Sequence, residues 1–188
     1  MKHTVDYSGY EEKQKFLEGT GSMVFDHQNK IVYCALSARS DSGLLYHFCQ
    51  TFNFKPVIFQ AYQTVGAARL PVYHTNVMMV VAPTFALICL DAIDNPLERD
   101  VVLDSLTFSG KVVITLTERQ IAKFAGNMLA LTTKDGKTIL VMSTRAYNAL
   151  TPEQILQLQN HLKLVHSPIP TIEDLGGGSV RCMLAEVY

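Results

Sequence analysis

Three residue types at three distant places could together do nucleophilic chemistry: Glu18, His74 and Cys182. Cys182 follows Gly176-Gly177-Gly178-Ser179-Val180-Arg181, a run whose glycines let the main chain come close to a ligand because no Cβ stands in the way. A thiol beside such a run is a candidate nucleophile, a histidine can move protons, and a carboxylate can hold a cationic group. Taken alone, each has a plainer meaning. Cys182 reads first as a small apolar packing residue, His74 as a satisfied core histidine, and Glu18, opening Glu18-Gly19-Thr20-Gly21-Ser22, as a surface carboxylate. Cys34, Cys49 and Cys89 sit in apolar runs and read as core.

A repeat brings the three residues together. Segments 16–25 and 31–36 read as strands, 42–52 as a helix with apolar residues at Leu44, Leu45, Phe48 and Cys49, and 55–62 as a third strand. The order returns as strands 72–81 and 85–92, helix 96–106 with Pro96 in its first turn, and strand 110–116. It returns again as strands 127–133 and 138–143 around a Lys134-Asp135-Gly136-Lys137 turn, helix 152–162 and strand 163–169. Thr151 and Gln154 form a capping box for that last helix. Aligned on their first strands, the copies place a small polar residue at Ser22, Asn76, Asn127 and Ser179, spaced 54, 51 and 52 residues apart. A period in this range marks repeated supersecondary units.

The expectation is an α/β array of strand-strand-helix-strand units over 16–65, 72–117 and 124–170. A closing strand at 176–188 opens a fourth unit, and a polar leader precedes them at 1–15. Residues at the starts of the first strands would converge on an axis. Glu18, His74 and Cys182 lie within four residues of equivalent register positions in three units.

Composition narrows the classes. The chain has 188 residues, 48% hydrophobic and 18% charged, with a net charge of -1, which suits a globular fold rather than disorder. No Lys/Arg run occurs, so neither nucleic acid nor an acidic membrane is expected as a partner. The longest apolar stretch, 77–90, contains Pro83 and Thr84 and is too short for a bilayer. Four cysteines without a Cys-x-x-Cys pair fit a reducing cytoplasm and no structural zinc.

Leu17-Glu18-Gly19-Thr20-Gly21-Ser22, Tyr73-His74-Thr75-Asn76-Val77, Phe124-Ala125-Gly126-Asn127-Met128 and the glycine run to Cys182 resemble the signatures of the pentein superfamily of guanidine-modifying enzymes. The nearest resemblance is to its amidinotransferase-like branch linked to citrulline hydrolysis. It implies a pentein-type α/β propeller and a covalent adduct on Cys182. His74 would be the general acid/base, and Glu18 the carboxylate that binds the guanidinium and orients the histidine. Arg39, in a Ser-x-Arg-Ser context, would take the substrate α-carboxylate, with Asn76, Asn127 and Ser179 lining the substrate site.

Asn76 stands where arginine deiminases carry an aspartate, which favours a neutral ureido group over a guanidinium. The substrate would be a guanidino or ureido amino acid, with no metal or organic cofactor. Hydrolysis and amidino transfer both remain open, as does a non-catalytic binding module. Pentein folds carry five units and this chain three and a fraction. Self-association, or a partner chain supplying the absent N-terminal units, is therefore expected.

Overall fold

The structure, a computed structural model, describes residues 5–185. It contains three small sheets built to one plan, each a strand pair followed by a helix and a third strand. A 3-10 turn over Ser8–Lys13 precedes them, and Tyr10 there meets His47, in the Ser42–Phe52 helix, at 3.2 Å.

The first unit begins with a helical turn, α1 (Gly19–Ser22), then β1 (Val24–Asp26) and β2 (Ile31–Ala35). Asp41 caps α2 (Ser42–Phe52) by accepting from the Leu44 amide, and Asn53 ends it in the left-handed region. β3 (Lys55–Phe59) pairs parallel to β2, while β1 pairs antiparallel to it. A hairpin of β4 (Tyr62–Val65) and β5 (Ala68–Pro71) leads out of the unit through a turn with Gly66 at φ 61°.

The second unit holds a 3-10 turn at Thr75–Val77, then β6 (Met79–Val81), β7 (Phe85–Ile88), α3 (Pro96–Phe108) and β8 (Val112–Thr115). A short α4 (Glu118–Ile121) leads to the third unit: β9 (Leu129–Thr132), β10 (Thr138–Ser143), α5 (Thr144–Ala149), α6 (Pro152–Gln159) and β11 (Lys163–Ser167). In both units the first strand is antiparallel and the third parallel to the middle one. The Thr151–Gln154 capping box read from the sequence is formed at α6. The described residues end after α7 (Pro170–Gly176) and a 3-10 turn, Val180–Met183.

One core runs through all three units, with Tyr33 and Phe59 from the first, Met79 and Leu87 from the second, and Leu140 and Met142 from the third. α3 faces it with Val102 and Leu106, both fully buried. Truncating either would leave a cavity and cost about 2–5 kcal/mol. A smaller cluster, Met23, Val32, Cys34, Leu45 and Cys49, seats α2 on β1 and β2. The first and second units are also joined by a buried ion pair. Lys111 Nζ lies 3.0 Å from Asp26, with side chains 1% and 2% exposed, and also donates to the Pro83 carbonyl.

Several expectations change. The strand expected over 16–25 pairs as a strand only at β1, because Gly19, at φ 41°, turns the chain into α1. The strand expected over 72–81 is broken by the Thr75–Val77 turn. There Thr75 Oγ1 accepts from the Ala35 amide and donates to the Ser22 carbonyl, stitching the first two units together. The strand expected over 176–188 is not formed in its described part. Gly177, at φ 67°, reverses the chain, and a 3-10 turn follows; residues 186–188 lie outside the described region. The β4–β5 hairpin, α4, α5 and α7 were not anticipated. The three sheets remain separate and do not close into one sheet among the described residues, and no helix there is long and apolar enough to cross a membrane.

Candidate active site

The register positions Ser22, Asn76 and Asn127 each contact the next unit at or near its own register position. Ser22 offers its carbonyl to Thr75, and the Asn76 carbonyl accepts from Asn127 Nδ2 at 3.2 Å. Asn127 Nδ2 also lies 3.2 Å from Cys182 Sγ. Each unit thus hands a contact to the next at the entry of its first strand.

Glu18 caps α1 by position, and its amide is held by Ser22 Oγ and the Arg39 carbonyl. Its Oε2 lies 2.7 Å from His74 Nε2 and 3.4 Å from Arg39 Nη1. The His74 side chain is 14% exposed against 43% for Glu18, so the imidazole is the more sheltered partner. His74 is extended, at φ -138° and ψ 138°, just before the Thr75–Val77 turn. Its ring lies against Gly21, where a Cβ would come within 2.6 Å of Nδ1. Gly21 is therefore glycine because the ring needs its space.

Arg39 is held at this end by its contact with Glu18 and by the Tyr73 ring, 5.4 Å from the guanidinium carbon. Tyr73 donates its hydroxyl to the Gly177 carbonyl at 3.1 Å, which ties the residue before His74 to the glycine run before Cys182. Burial raises the Tyr73 phenol above its ordinary range and the nearby Cys182 sulfur adds to this, while Arg39 opposes it.

Cys182 is exposed, whereas Cys34, Cys49 and Cys89 are buried and pushed up to about 11 by that burial. Gly178 permits the thiol's position, since a Cβ there would meet Cys182 Cβ at 3.0 Å and Sγ at 3.1 Å. No hydrogen bond joins Cys182 directly to Glu18 or His74 among the described residues. Asn127 and Tyr73 make the connection.

Asn76 is 2% exposed, and among the described residues its Oδ1 has no hydrogen-bond partner and its Nδ2 makes only a long 3.5 Å contact to the Thr20 carbonyl. A buried acceptor left unsatisfied costs about 1–3 kcal/mol unless a ligand fills it. Ser179 is fully buried, and its hydroxyl is committed to Glu173 at 2.7 Å. Glu18, Arg39, His74, Asn76, Asn127 and Cys182 therefore gather at one end of the first strands, and Ser179 turns inward behind them.

Sequence reasoning missed Tyr73, which lies inside a quoted motif, and Glu173, which falls between the third unit and the expected closing strand. Among the described residues no group of three or more His, Cys, Asp or Glu could hold a metal ion. A separate cavity of about 270 Å³, lined by Phe25, Val81, Leu129 and Arg181 among others, sits at the far ends of β1 and β6 and includes none of Glu18, His74 or Cys182.

The arrangement can do acid/base and nucleophilic chemistry. A carboxylate fixes an imidazole, and an exposed thiol is held by an amide donor from a neighbouring unit.

The fold has solved counterparts. The N-terminal domain of ArgZ, an arginine dihydrolase from the ornithine-ammonia cycle in cyanobacteria, in a substrate-bound mutant form, matches with a TM-score of 0.64 at 16% identity over 88% of this chain and 54% of that one. AgrE in ternary complex with ornithine and NAD+ matches with a TM-score of 0.63 at 15% identity over 92% of this chain and 23% of that one. At such identities the likeness is one of fold, and the chain spans about half the length of the ArgZ domain. No curated protein matches. The family model described as N,N dimethylarginine dimethylhydrolase, eukaryotic, matches residues 1–188. With that match over the whole chain, the protein belongs to the N,N dimethylarginine dimethylhydrolase family of the guanidine-modifying pentein superfamily.

Proposed function

We propose that the protein is a cysteine-dependent hydrolase of guanidino or ureido groups on arginine-like or citrulline-like amino acids. The observation that carries this reading is the 2.7 Å Glu18–His74 contact, joined through Tyr73 and Asn127 to the exposed Cys182. In the first half-reaction the Cys182 thiolate attacks the guanidinium or ureido carbon. A C–S bond forms, the C–N bond to the leaving nitrogen breaks, and His74 supplies that nitrogen's proton. In the second half His74 takes a proton from water, the hydroxide adds to the same carbon, and the C–S bond breaks to return the thiolate. Glu18 holds the imidazole in orientation and stabilises positive charge as it develops.

Arg39 would pair with the substrate α-carboxylate, and Asn76 Oδ1 would accept an N–H from the substrate, relieving its unsatisfied state. A neutral acceptor there favours a ureido group over a guanidinium. Transfer of the carbon group to an amine needs only that an amine replace water at the adduct. The three sheets fit the blades of a pentein propeller, with a second copy or a partner chain as its proposed complement. The lack of a direct hydrogen bond from Cys182 to His74 or Glu18 among the described residues is the one observation favouring a binding module without turnover. The free cysteines fit a cytoplasmic setting.

Arginine, citrulline and N,N-dimethylarginine, each labelled, decide between these readings when incubated with the protein. Release of labelled ornithine or ureido product supports the hydrolase, with citrulline turned over fastest. Saturable binding of these compounds without product supports the binding module and overturns the enzyme.

A further inference from the structure

We infer that Glu173 is a positioning residue for Cys182, acting through Ser179. Its place as a positioning residue for catalysis rests on the hydrolase reading above. The loop ordering it describes stands on geometry alone. Glu173 projects from α7 with its side chain 1% exposed. Its Oε1 accepts the Ser179 hydroxyl at 2.7 Å, and its Oε2 lies 3.2 Å from Arg145 Nε. Arg145, on α5, also meets Asp174 at 2.7 Å and lies over the Phe124 ring. Ser179 is fully buried and sits immediately before the turn that carries Cys182, and its carbonyl accepts the Cys182 amide at 3.0 Å. An unbroken path thus runs from Arg145 through Glu173 and Ser179 to the nucleophile's own backbone.

The glycines explain why such a tie is needed. Gly176, Gly177 and Gly178 lose more conformational freedom on ordering than any other residues would, and they have no side chains to pack. Left alone, they would let the Cys182 turn wander. Gly177 turns the chain back, so Ser179 returns to α7 only six residues after Glu173. A carboxylate on that helix grips the far end of the glycine run and fixes a direction, which an apolar side chain of the same volume could not do. Burying the carboxylate is tolerable because both oxygens are engaged, one by a hydroxyl and one by a guanidinium. Ser179 is therefore assigned to the loop's framework rather than to contact with substrate.

The test measures steady-state kinetics and hydrogen exchange on the full chain and its Ser179→Ala, Glu173→Ala, Glu173→Gln and Ser179→Ala/Glu173→Ala forms. Ser179→Ala should lower kcat by about 10–100-fold with KM within about threefold, because the bound substrate is held but the sulfur is misplaced. Amides 177–182 should exchange at least about tenfold faster, with those of β10 and α6 unchanged. Glu173→Gln keeps an acceptor for Ser179 and should retain most of the activity, and the double variant should be no worse than Ser179→Ala. Losses that add in the double variant overturn the route through Ser179. Unchanged exchange at 177–182 in Ser179→Ala overturns the proposal whatever the kinetics show, and Ser179→Ala alone decides it if Glu173→Ala does not fold. A wild-type protein without turnover would sink the hydrolase reading, and exchange would still judge the loop.

Discussion

Replacing Gly21 by alanine puts a methyl carbon where the His74 ring lies, 2.6 Å from Nδ1 and 2.7 Å from Cε1. Ordinary contact between such atoms is about 3.5 Å, so the ring must retreat by about 0.9 Å. A retreat along the line from Glu18 would open the 2.7 Å Glu18–His74 contact to about 3.6 Å, past the range of a hydrogen bond. The backbone gives no reason for the substitution to unfold the protein. Gly21 lies in α1 and is not among the glycines with positive φ, and alanine is the better helix former. Misplacing a catalytic group by about 1 Å costs on the order of 100-fold, about 2.7 kcal/mol in the barrier. Turnover of the preferred guanidino or ureido substrate by Gly21→Ala should therefore fall about 100-fold in kcat/KM, with the thermal midpoint within a few degrees of wild type. Activity within twofold of wild type would refute the claim that His74 works from its place beside Glu18.

Other consequences follow from particular contacts. Lys111→Met strands the buried Asp26 carboxylate and should cost about 3–5 kcal/mol in urea unfolding, while Lys111→Met with Asp26→Leu should recover most of it; equal losses in both would show the pair is not coupled. Iodoacetamide at neutral pH should label Cys182 in the folded protein long before the buried Cys34, Cys49 and Cys89, as peptide mass mapping would show; equal labelling would remove the basis for a selective nucleophile. Arg69 holds the Asp94 carboxyl below its usual range. Burial would raise Glu118, but Arg69 and the Thr64 amide outweigh it and hold it low as well. Depressed carboxylates contribute stability above their unfolded values and lose it as pH falls through their folded ones. Wild type should therefore lose more stability than Arg69→Ala between about pH 6 and pH 3, where carboxylates titrate. Parallel urea midpoints across that range would contradict this.

The register of Ser22, Asn76 and Asn127 was legible because each sits at a unit's entry and must contact the next unit, so a fixed spacing survives in the sequence. The middle strands were legible too, since apolar runs such as 85–88 and 139–142 pack into one core. The entries themselves were not. Thr75 reads as a strand residue, yet its hydroxyl bonds both Ala35 and Ser22, and those long-range bonds curl the chain into a turn. The C-terminal run reads as a strand because Val180, Cys182 and Leu184 place apolar residues at alternate positions, but Gly177 and the Ser179–Glu173 bond fold it back instead. Glu173 itself carried no local signal, because its partners, Arg145 and Ser179, lie on opposite sides of it in sequence and meet only in the fold. The Lys111–Asp26 pair, 85 residues apart, was invisible for the same reason.

Acid quenching during turnover with citrulline or arginine, followed by mass mapping of the Cys182 peptide, tests the central claim most directly. A substrate-derived adduct confined to that peptide, and both adduct and turnover absent from Cys182→Ser, is the predicted result. Wild-type turnover by Cys182→Ser would contradict the account.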